Sequence, residues 1–195
     1  MKILIALFIL LFPSSVFAEK LSDYEIEGIS IGDSLLEHFS LEIINDNLSF
    51  DYYTHKKNPL KFIVFGISKN ESFIKHFDRI EVTFKSDDSA FIVHSLNAGF
   101  FIDDRNQCLK IMMEYLQDLR KKFPSLEKSE IRTLDHSADP TGNSEVTEVE
   151  FYFNDGDLDL ECYDWSENIT KSKGFYDNFQ VSAQSNEFVT YLFED

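Results

Sequence analysis

The sequence predicts an α+β fold: an antiparallel β-sheet of hairpins, packed on one face by two main helices and linked by a disulfide. A helical apolar pattern from Asp104 to Phe123 indicates the longer helix. Two runs that alternate apolar and acidic residues meet at Asn154–Asp157 and indicate a hairpin. The 195-residue chain has two cysteines, one in the helix and one in the hairpin.

The N-terminus has the order of a bacterial signal peptide. Lys2 precedes an apolar stretch from Ile3 to Phe12, and small residues lead to Ala18. That stretch is about half of the roughly 20 residues that a helix needs to cross a bilayer. We therefore predict that residues 1–18 are a signal peptide cleaved after Ala18, which leaves a periplasmic or secreted protein with no stable membrane span. An uncleaved N-terminal anchor is the alternative.

The remaining residues, 19–195, are predicted to form a single α+β domain. A helix followed by strands occurs twice along them, so two helix-plus-sheet halves, 19–102 and 103–195, remain an alternative.

The chain is strongly acidic. It carries 18 Lys and Arg against 35 Asp and Glu, a net charge of −17, and cleavage removes one lysine and no acid, which gives −18. Such a chain repels phosphates, so nucleic acid is not an expected partner. A cationic ligand, a basic protein surface or a divalent cation remains compatible.

The first half contains a predicted helix from Asp33 to Asp46, with a break and a new cap at Ser40. The apolar run Leu60–Ile67 is predicted to be a strand covered on both faces. A hairpin should follow, with strands 78–85 and 90–101 and a turn at 86–89. In that register Phe84 faces Phe91, Val82 faces Val93 and Glu81 faces His94.

The second half begins with the best-defined helix. Asp103 and Asp104 lie at its positive end, three basic residues occupy its last turn, and Pro124 ends it. Its apolar side is formed by Cys108, Met112, Tyr115, Leu116, Leu119 and Phe123. Short strands are predicted at 130–134 and 175–183, and a short helix at 187–193.

The hairpin around Asn154 places every apolar residue on one side. With Asp155-Gly156 as a type I′ turn, the predicted pairs are Phe153 with Leu158, Phe151 with Leu160, and Val149 with Cys162. Cys108 and Cys162 then both face the core, and an exported protein meets an oxidising compartment, so we predict that they form a disulfide. Two buried free thiols are the alternative.

The opposite side of the same hairpin is acidic and is the candidate binding surface: Glu148, Glu150, Tyr152, Asp157, Asp159, Glu161 and Tyr163. The predicted register sets Glu150 against Glu161, and such like-charge pairs favour a cation, a basic partner or screening by water. Asp155, Asp157 and Asp159 alternate as calcium ligands can, but the glycine position does not match an EF-hand loop. No metal ligands are assigned, and Ca²⁺ is kept as an alternative.

A second candidate site lies in and after the loop 136–144. His136 and Asp139 occur among polar residues there, and Trp165 follows the hairpin. Turn formation explains the loop without a site, and Trp165 suits an apolar core as well as ligand stacking. No catalytic residues are assigned.

Several segments look like those of a known family. Ile29–Leu36, the loop from His136 to Gly142 and Cys162–Ser166 resemble recurring segments of a family of uncharacterised exported proteins from AT-rich marine bacteria. The helix start after Ile31 also resembles small periplasmic α+β modules of outer-membrane assembly and β-lactamase-inhibitor type. The first resemblance implies export and implies no chemistry.

These observations favour a non-catalytic periplasmic or secreted binding domain whose partner is an unknown protein or a cationic ligand. The alternative is a carboxylate-based hydrolase, with or without a divalent cation.

Overall fold

The computed structural model describes residues 19–50, 52–53, 56–69 and 73–194. The predicted signal peptide, residues 1–18, lies outside them. The strands are β1 Leu48–Ser49, β2 Phe62–Ser68, β3 Arg79–Lys85, β4 Ser95–Phe101, β5 Glu127–Lys128, β6 Arg132–Asp135, β7 Glu145–Phe153, β8 Gly156–Asp164 and β9 Asn178–Ser185. The α-helices are α1 Leu41–Asp46, α2 Arg105–Lys122, α3 Glu167–Lys173 and α4 Asn186–Phe193.

All nine strands belong to one antiparallel sheet, which confirms the α+β prediction. Their order is β1-β2-β3-β4-β9-β8-β7-β5, and β6 also pairs with β7. The meanders β2-β3-β4 and β7-β8-β9 therefore meet where β4 pairs with β9. In the described part of the chain, no helix combines the length and apolar composition that a bilayer crossing requires.

Helix α2 covers one face of the sheet. The Asp104 carboxylate caps it by accepting from the backbone N–H groups of Asn106 and Gln107, and Pro124 follows its last residues. Its buried side chains, Cys108, Met112, Leu116 and Leu119, pack against β8 and β9. The helix agrees with the prediction to within one residue at each end.

The predicted helix from Asp33 to Asp46 is only partly formed. The chain forms a 3₁₀ turn at Leu35–Glu37 and then the short α1, which Ser40 caps by accepting from the backbone N–H of Ile43. Leu35 and Ile44 still join the core beneath α2. The break falls at Ser40 as predicted, because a serine in extended conformation supplies the new cap.

A second, smaller core covers the other face near β2. Phe62 and Val64 alternate with core residues of β2 and pack with Tyr53, Phe188 and Tyr191. Strand β2 is thus covered on both faces, as its continuous apolar sequence predicts.

The first predicted hairpin has the wrong register. Strand β4 begins at Ser95, so Val82 pairs with Leu96 and Glu81 with Asn97. The preceding residues form a loop in which Phe91 has φ +52°, a left-handed conformation that ends strand pairing. Phe84 and Phe91 still touch, with ring centroids 5.1 Å apart.

The second hairpin is shifted by two residues from the predicted register. The turn residues are Asn154 and Asp155, neither with positive φ, and Gly156 pairs with Phe153. A Cβ on Gly156 would collide with the Gln184 carbonyl and lie 2.7 Å from Leu21 Cδ2, so close packing requires this glycine. Because side chains alternate with a period of two, a shift of two residues leaves each side chain on the same side of the sheet. The apolar and acidic sides are therefore as predicted.

The predicted disulfide is confirmed. Cys108 and Cys162 are bonded, with Cα atoms 5.9 Å apart, and they fasten α2 to β8. The two cysteines are therefore neither free thiols nor a metal site.

Candidate binding face of the sheet

We call the side of the sheet opposite α2 the polar face. Strand register places two rows of polar side chains across it. One row runs Glu81, Asn97, Ser182, Asp159, Glu150, and the next runs Arg79, Gly99, Gln180, Glu161, Glu148, Arg132. The acidic residues predicted from the hairpin thus belong to a wider surface on six strands.

Arg132 on β6 is the cation beside the acidic hairpin. Its Nε lies 2.6 Å from Glu148 Oε1, and its Nη2 lies 3.1 Å from Glu150 Oε1. Tyr152 donates to Glu150 at 2.7 Å. The like-charge clash that the sequence indicated is relieved on β7 by an arginine from the neighbouring strand.

The carboxylates on β8 lie in a different environment. Glu161 accepts from Tyr163 at 2.9 Å and from Gln180 at 3.2 Å. Burial raises its pKa to about 7, against the opposing effect of the Tyr163 hydroxyl. Burial, followed by the negative charges of Glu161 and Glu150, raises the pKa of Asp159 to about 8. The observed cross-strand pairs are Glu148 with Glu161 and Glu150 with Asp159.

The polar face also contains buried polar atoms that have no hydrogen-bond partner. Within the described residues, five buried side-chain polar atoms have no hydrogen-bond partner, and four of them lie on this face: Ser95 Oγ, Asn97 Oδ1, Asp159 Oδ1 and Asn178 Oδ1. Buried polar atoms are normally paired, but these four lie beneath the accessible surface, where a ligand on the face does not reach them.

A cleft of about 450 Å³ opens at one end of the polar face. Its floor contains Arg79, Asn178 and Gln180. Aromatic side chains from five separate segments surround the floor: Tyr52, Phe101, His136, Tyr163, Trp165, Phe175 and Tyr176. Pockets of this size with apolar walls and a few polar groups are typical ligand sites.

Tyr163 and Trp165 form an aromatic stack in this cleft. Their rings are nearly parallel, with an angle of 4° and centroids 5.7 Å apart. The rings of Phe175 and His136 pack against Trp165, with ring centroids 4.9 Å and 4.3 Å from its own. The two rings alternate with Asp164 along the end of β8, so both project to the same side.

The second predicted site is divided by the structure. His136 and Trp165 meet in the cleft, but Asp139 lies outside it, buried and 3% exposed. The Asp139 carboxylate accepts from Thr141, Ser144 and Ser166, and these hydrogen bonds hold its pKa well below its ordinary value. Asp139 organises the loop beneath the cleft and is not available to a ligand.

His136 is also held in place. Its Nδ1 accepts from the Ala138 backbone N–H at 3.1 Å, and burial, followed by the nearby Lys173 ammonium, lowers its pKa. A neutral imidazole packed on Trp165 serves as part of the apolar wall.

The described residues contain no group of three or more His, Cys, Asp or Glu side chains arranged to hold a metal ion. Asp155, one of the three alternating aspartates, instead accepts from the backbone N–H of Leu21 at 3.0 Å. A calcium site on this hairpin stays a prediction.

Most of the cleft was not predicted from the sequence. Tyr52, Arg79, Phe101, Tyr176 and Asn178 are distant in sequence and converge only when β3, β4 and β9 pair. The aromatic pairs Tyr52-Tyr53 and Phe175-Tyr176, each in a polar segment, are the signal that could have indicated it.

Comparison of the chain with protein-family models, with curated proteins and with solved structures gave no match. Function is therefore inferred from the geometry of the polar face and its cleft.

Proposed function

We propose that this protein is an exported binding domain whose contact surface is the polar face of its sheet, with the cleft as its anchoring point. The observation that supports this most is the cleft of about 450 Å³, in which a polar floor of Arg79, Asn178 and Gln180 is surrounded by aromatic side chains. Such a lining can anchor a partner through hydrogen bonds and ring contacts together.

Electrostatics favour the same surface. The five carboxylates of the hairpin face have one nearby arginine, Arg132, in contact with two of them. A basic partner is therefore attracted, and an anionic partner is repelled. Tyr152, 42% exposed at the margin, adds an amphipathic contact.

The test is capture of partners from the exported fraction with two matched variants. One changes Glu148, Glu150, Asp159 and Glu161 to Gln or Asn, and the other changes two exposed acids of α2, Glu114→Gln and Asp118→Asn. We expect the wild type and the α2 variant to retain the same partner and the polar-face variant to lose it, with circular dichroism confirming that all three fold. Identical capture by all three proteins would contradict the proposal.

A hydrolase is the second candidate, and one observation favours it. Asp159 and Glu161 have raised pKa values, whereas Glu148 is paired with Arg132, so one face holds carboxylates in contrasting environments. Glycoside hydrolases use such a pair as acid and as nucleophile or base. Turnover of chromogenic glycosides that disappears in both Asp159→Asn and Glu161→Gln would support this candidate, and no turnover by the wild type between pH 5 and 8 would remove it.

A further inference from the structure

We propose that the cleft binds an aromatic side chain of an extended segment of a basic partner, and that lysines or arginines at alternate positions of the same segment lie along the carboxyl groups of β8. This inference rests on the proposed binding function and names the chemistry of the partner.

Exposed aromatic side chains are concentrated at the rim of the cleft. Phe101 is 53% exposed and Tyr176 is 55% exposed, and their ring centroids lie 6.0 Å apart. Tyr52 and Phe175, which also line the cleft, are exposed as well. Large apolar side chains exposed together around one concave site are typical of protein–protein contacts, in which such rings hold an anchoring side chain of the partner.

The floor of the cleft favours an aromatic anchor over a basic one. Arg79 pairs across the strands with Gly99, and a Cβ at Gly99 would lie 3.8 Å from Arg79 Nε. The guanidinium therefore lies over the glycine and is partly exposed in the cleft. A guanidinium packs favourably on an aromatic ring and repels a second cation. Lys173, whose Nζ lies 6.0 Å from the Phe175 ring centroid, adds to this repulsion.

The carboxyl groups of β8 continue in line from the cleft. Tyr163 lines the cleft, and Glu161, Asp159 and Asp157 follow at every second residue on the same face. Side chains on one side of a strand recur about every 6.8 Å, and those of an extended peptide recur at the same interval. A segment that lies along β8 can therefore place an aromatic residue in the cleft and basic residues opposite the successive carboxyl groups.

The strands beside β8 leave this path open to a cation. The neighbours on β7 include Glu148 and Glu150, which Arg132 contacts from the far side, on β6. The neighbours on β9 are neutral: Gln180, Ser182 and Gln184. A basic segment over β8 is consequently attracted by carboxyl groups of two strands, and an acidic segment is repelled.

The contact with β8 should depend on pH. Burial raises the pKa of Glu161 to about 7 and that of Asp159 to about 8. A lysine or arginine placed beside these groups favours their ionised form, so binding should release protons near neutral pH and tighten as the pH rises from 6 to 9. The charged groups around them are three acids and one cation: Asp157, Glu148, Glu150 and Arg132.

The probes are capped synthetic peptides of one length. The matched peptide carries one phenylalanine and then lysines at the second, fourth and sixth positions after it, with serines between them. A second matched peptide has the reverse order, since a segment can run either way along β8. Three controls replace the phenylalanine by alanine, replace the lysines by glutamates, or place the three lysines side by side.

Trp165 is the single tryptophan of the chain and lines the cleft, so its fluorescence reports on entry of the phenylalanine. We expect a saturable change in emission with one of the two matched peptides. The alanine and glutamate peptides should bind about tenfold more weakly or worse, and the peptide with adjacent lysines should bind more weakly than the alternating one. Equal affinity of the alanine peptide would refute the aromatic anchor, and equal affinity of the glutamate peptide would refute the basic partner.

Two variants and one control localise the contact. Phe101→Ala removes an exposed part of the wall and Asp157→Asn removes a charge from β8, and each should weaken binding of the matched peptide, the first about tenfold. Glu114→Gln, on the exposed side of α2, should bind like the wild type. If Phe101→Ala binds as tightly as the wild type, the cleft assignment is wrong.

Calorimetry at pH 7 in phosphate and in Tris measures the released protons, because the two buffers take up a proton with different heats. The observed binding heats should differ between the buffers. Identical heats, together with an affinity that does not change from pH 6 to 9, would contradict the contact with Glu161 and Asp159.

The proposal and the function on which it rests fail differently. If neither matched peptide binds while the polar-face variant still loses its captured partner, the partner chemistry is wrong and the binding face stands. If neither peptide binds and capture is the same for every variant, both are wrong.

Discussion

Glu148 and Glu161 are direct cross-strand neighbours on the polar face, yet their carboxyl groups interact with different partners. Arg132 pairs with Glu148, whereas Glu161 accepts from the neutral Tyr163 and Gln180. The same face therefore contains a carboxylate held by a cation next to a carboxyl whose pKa burial raises to about 7. The first two predictions follow from this contrast.

Arg132→Gln should lower the melting temperature at pH 8 by more than at pH 4. At pH 8 the variant leaves Glu148 and Glu150 facing the β8 carboxylates without a cation, whereas at pH 4 Asp159 and Glu161, whose pKa values are raised, are protonated and the repulsion is weaker. The difference should shrink in high salt because ions screen this partly exposed surface. Arg105→Gln, which loses the pair with Glu145 on the α2 side, is the matched control. Equal shifts for both variants at both pH values would argue against a special role for Arg132.

Asp159→Asn should flatten the pH dependence of stability. The folded pKa of Asp159 is raised to about 8, above the unfolded value of about 3.9, so the folded protein retains a proton that the unfolded chain has released. The associated stability is complete below pH 4 and is lost as the pH rises through 8. Each pKa unit corresponds to about 1.4 kcal/mol, an upper limit for a half-buried group.

Urea denaturation of wild type, Asp159→Asn and Glu114→Gln from pH 4 to 9 measures this slope. The asparagine variant should be the most stable of the three at pH 9, while Glu161 preserves part of the slope. Parallel curves for all three proteins would disprove the assignment.

The double variant Cys108→Ser, Cys162→Ser should lose stability in proportion to the released loop. The cysteines are separated by 54 residues, for which the loss of chain-closure entropy amounts to about 4 kcal/mol. Urea midpoints with and without reductant give the measurement. Reduced wild type should resemble the variant, and the variant should not respond to reductant.

Gly156→Ala should destabilise the protein by about 1–3 kcal/mol because the new methyl group meets the Gln184 carbonyl and Leu21. Gly66→Ala is the control, since a Cβ there lies 3.9 Å from Glu81 Cγ, an ordinary contact. A thermal melt of each variant tests the difference. If the two glycines tolerate alanine equally, the close approach at Gly156 is not real.

Calcium binding by the aspartates around Asp157 is tested by melting the protein first with calcium chloride and then with chelator. If the aspartates on this hairpin hold the ion, the melting temperature rises with calcium and falls back with chelator. An Asp157→Asn variant should lose the shift, and an unchanged midpoint in the wild type would end the calcium hypothesis.

The sequence predicted best what depends on local chemistry. The ends of α2 follow from the Asp104 cap and Pro124, and the disulfide follows from placing each cysteine on its apolar stripe. The two faces of the β7–β8 hairpin follow from the two-residue period, which survives a register shift of two.

The predictions failed where contacts between residues distant in the sequence determine the structure. Gly156 reads as a turn residue, but Gln184 and Leu21 require it to lack a side chain. The start of β4 at Ser95 depends on the loop at Phe91. The positive φ of Phe91 could not be inferred from the sequence, because aromatic residues rarely adopt it. The cleft needs six segments to converge, so its sequence signal was limited to His136, Tyr163 and Trp165.

The last strand of the chain lies at the centre of the sheet. Strand β9 pairs with β4 on one side and β8 on the other, so both neighbours have a bare edge until residues 178–185 are in place. The unpaired N–H and C=O groups of such edges can form hydrogen bonds with strands of other molecules. Assembly of the sheet is consequently deferred until β9 has been made, and nicked or truncated chains that lack β9 should aggregate instead of forming half a domain.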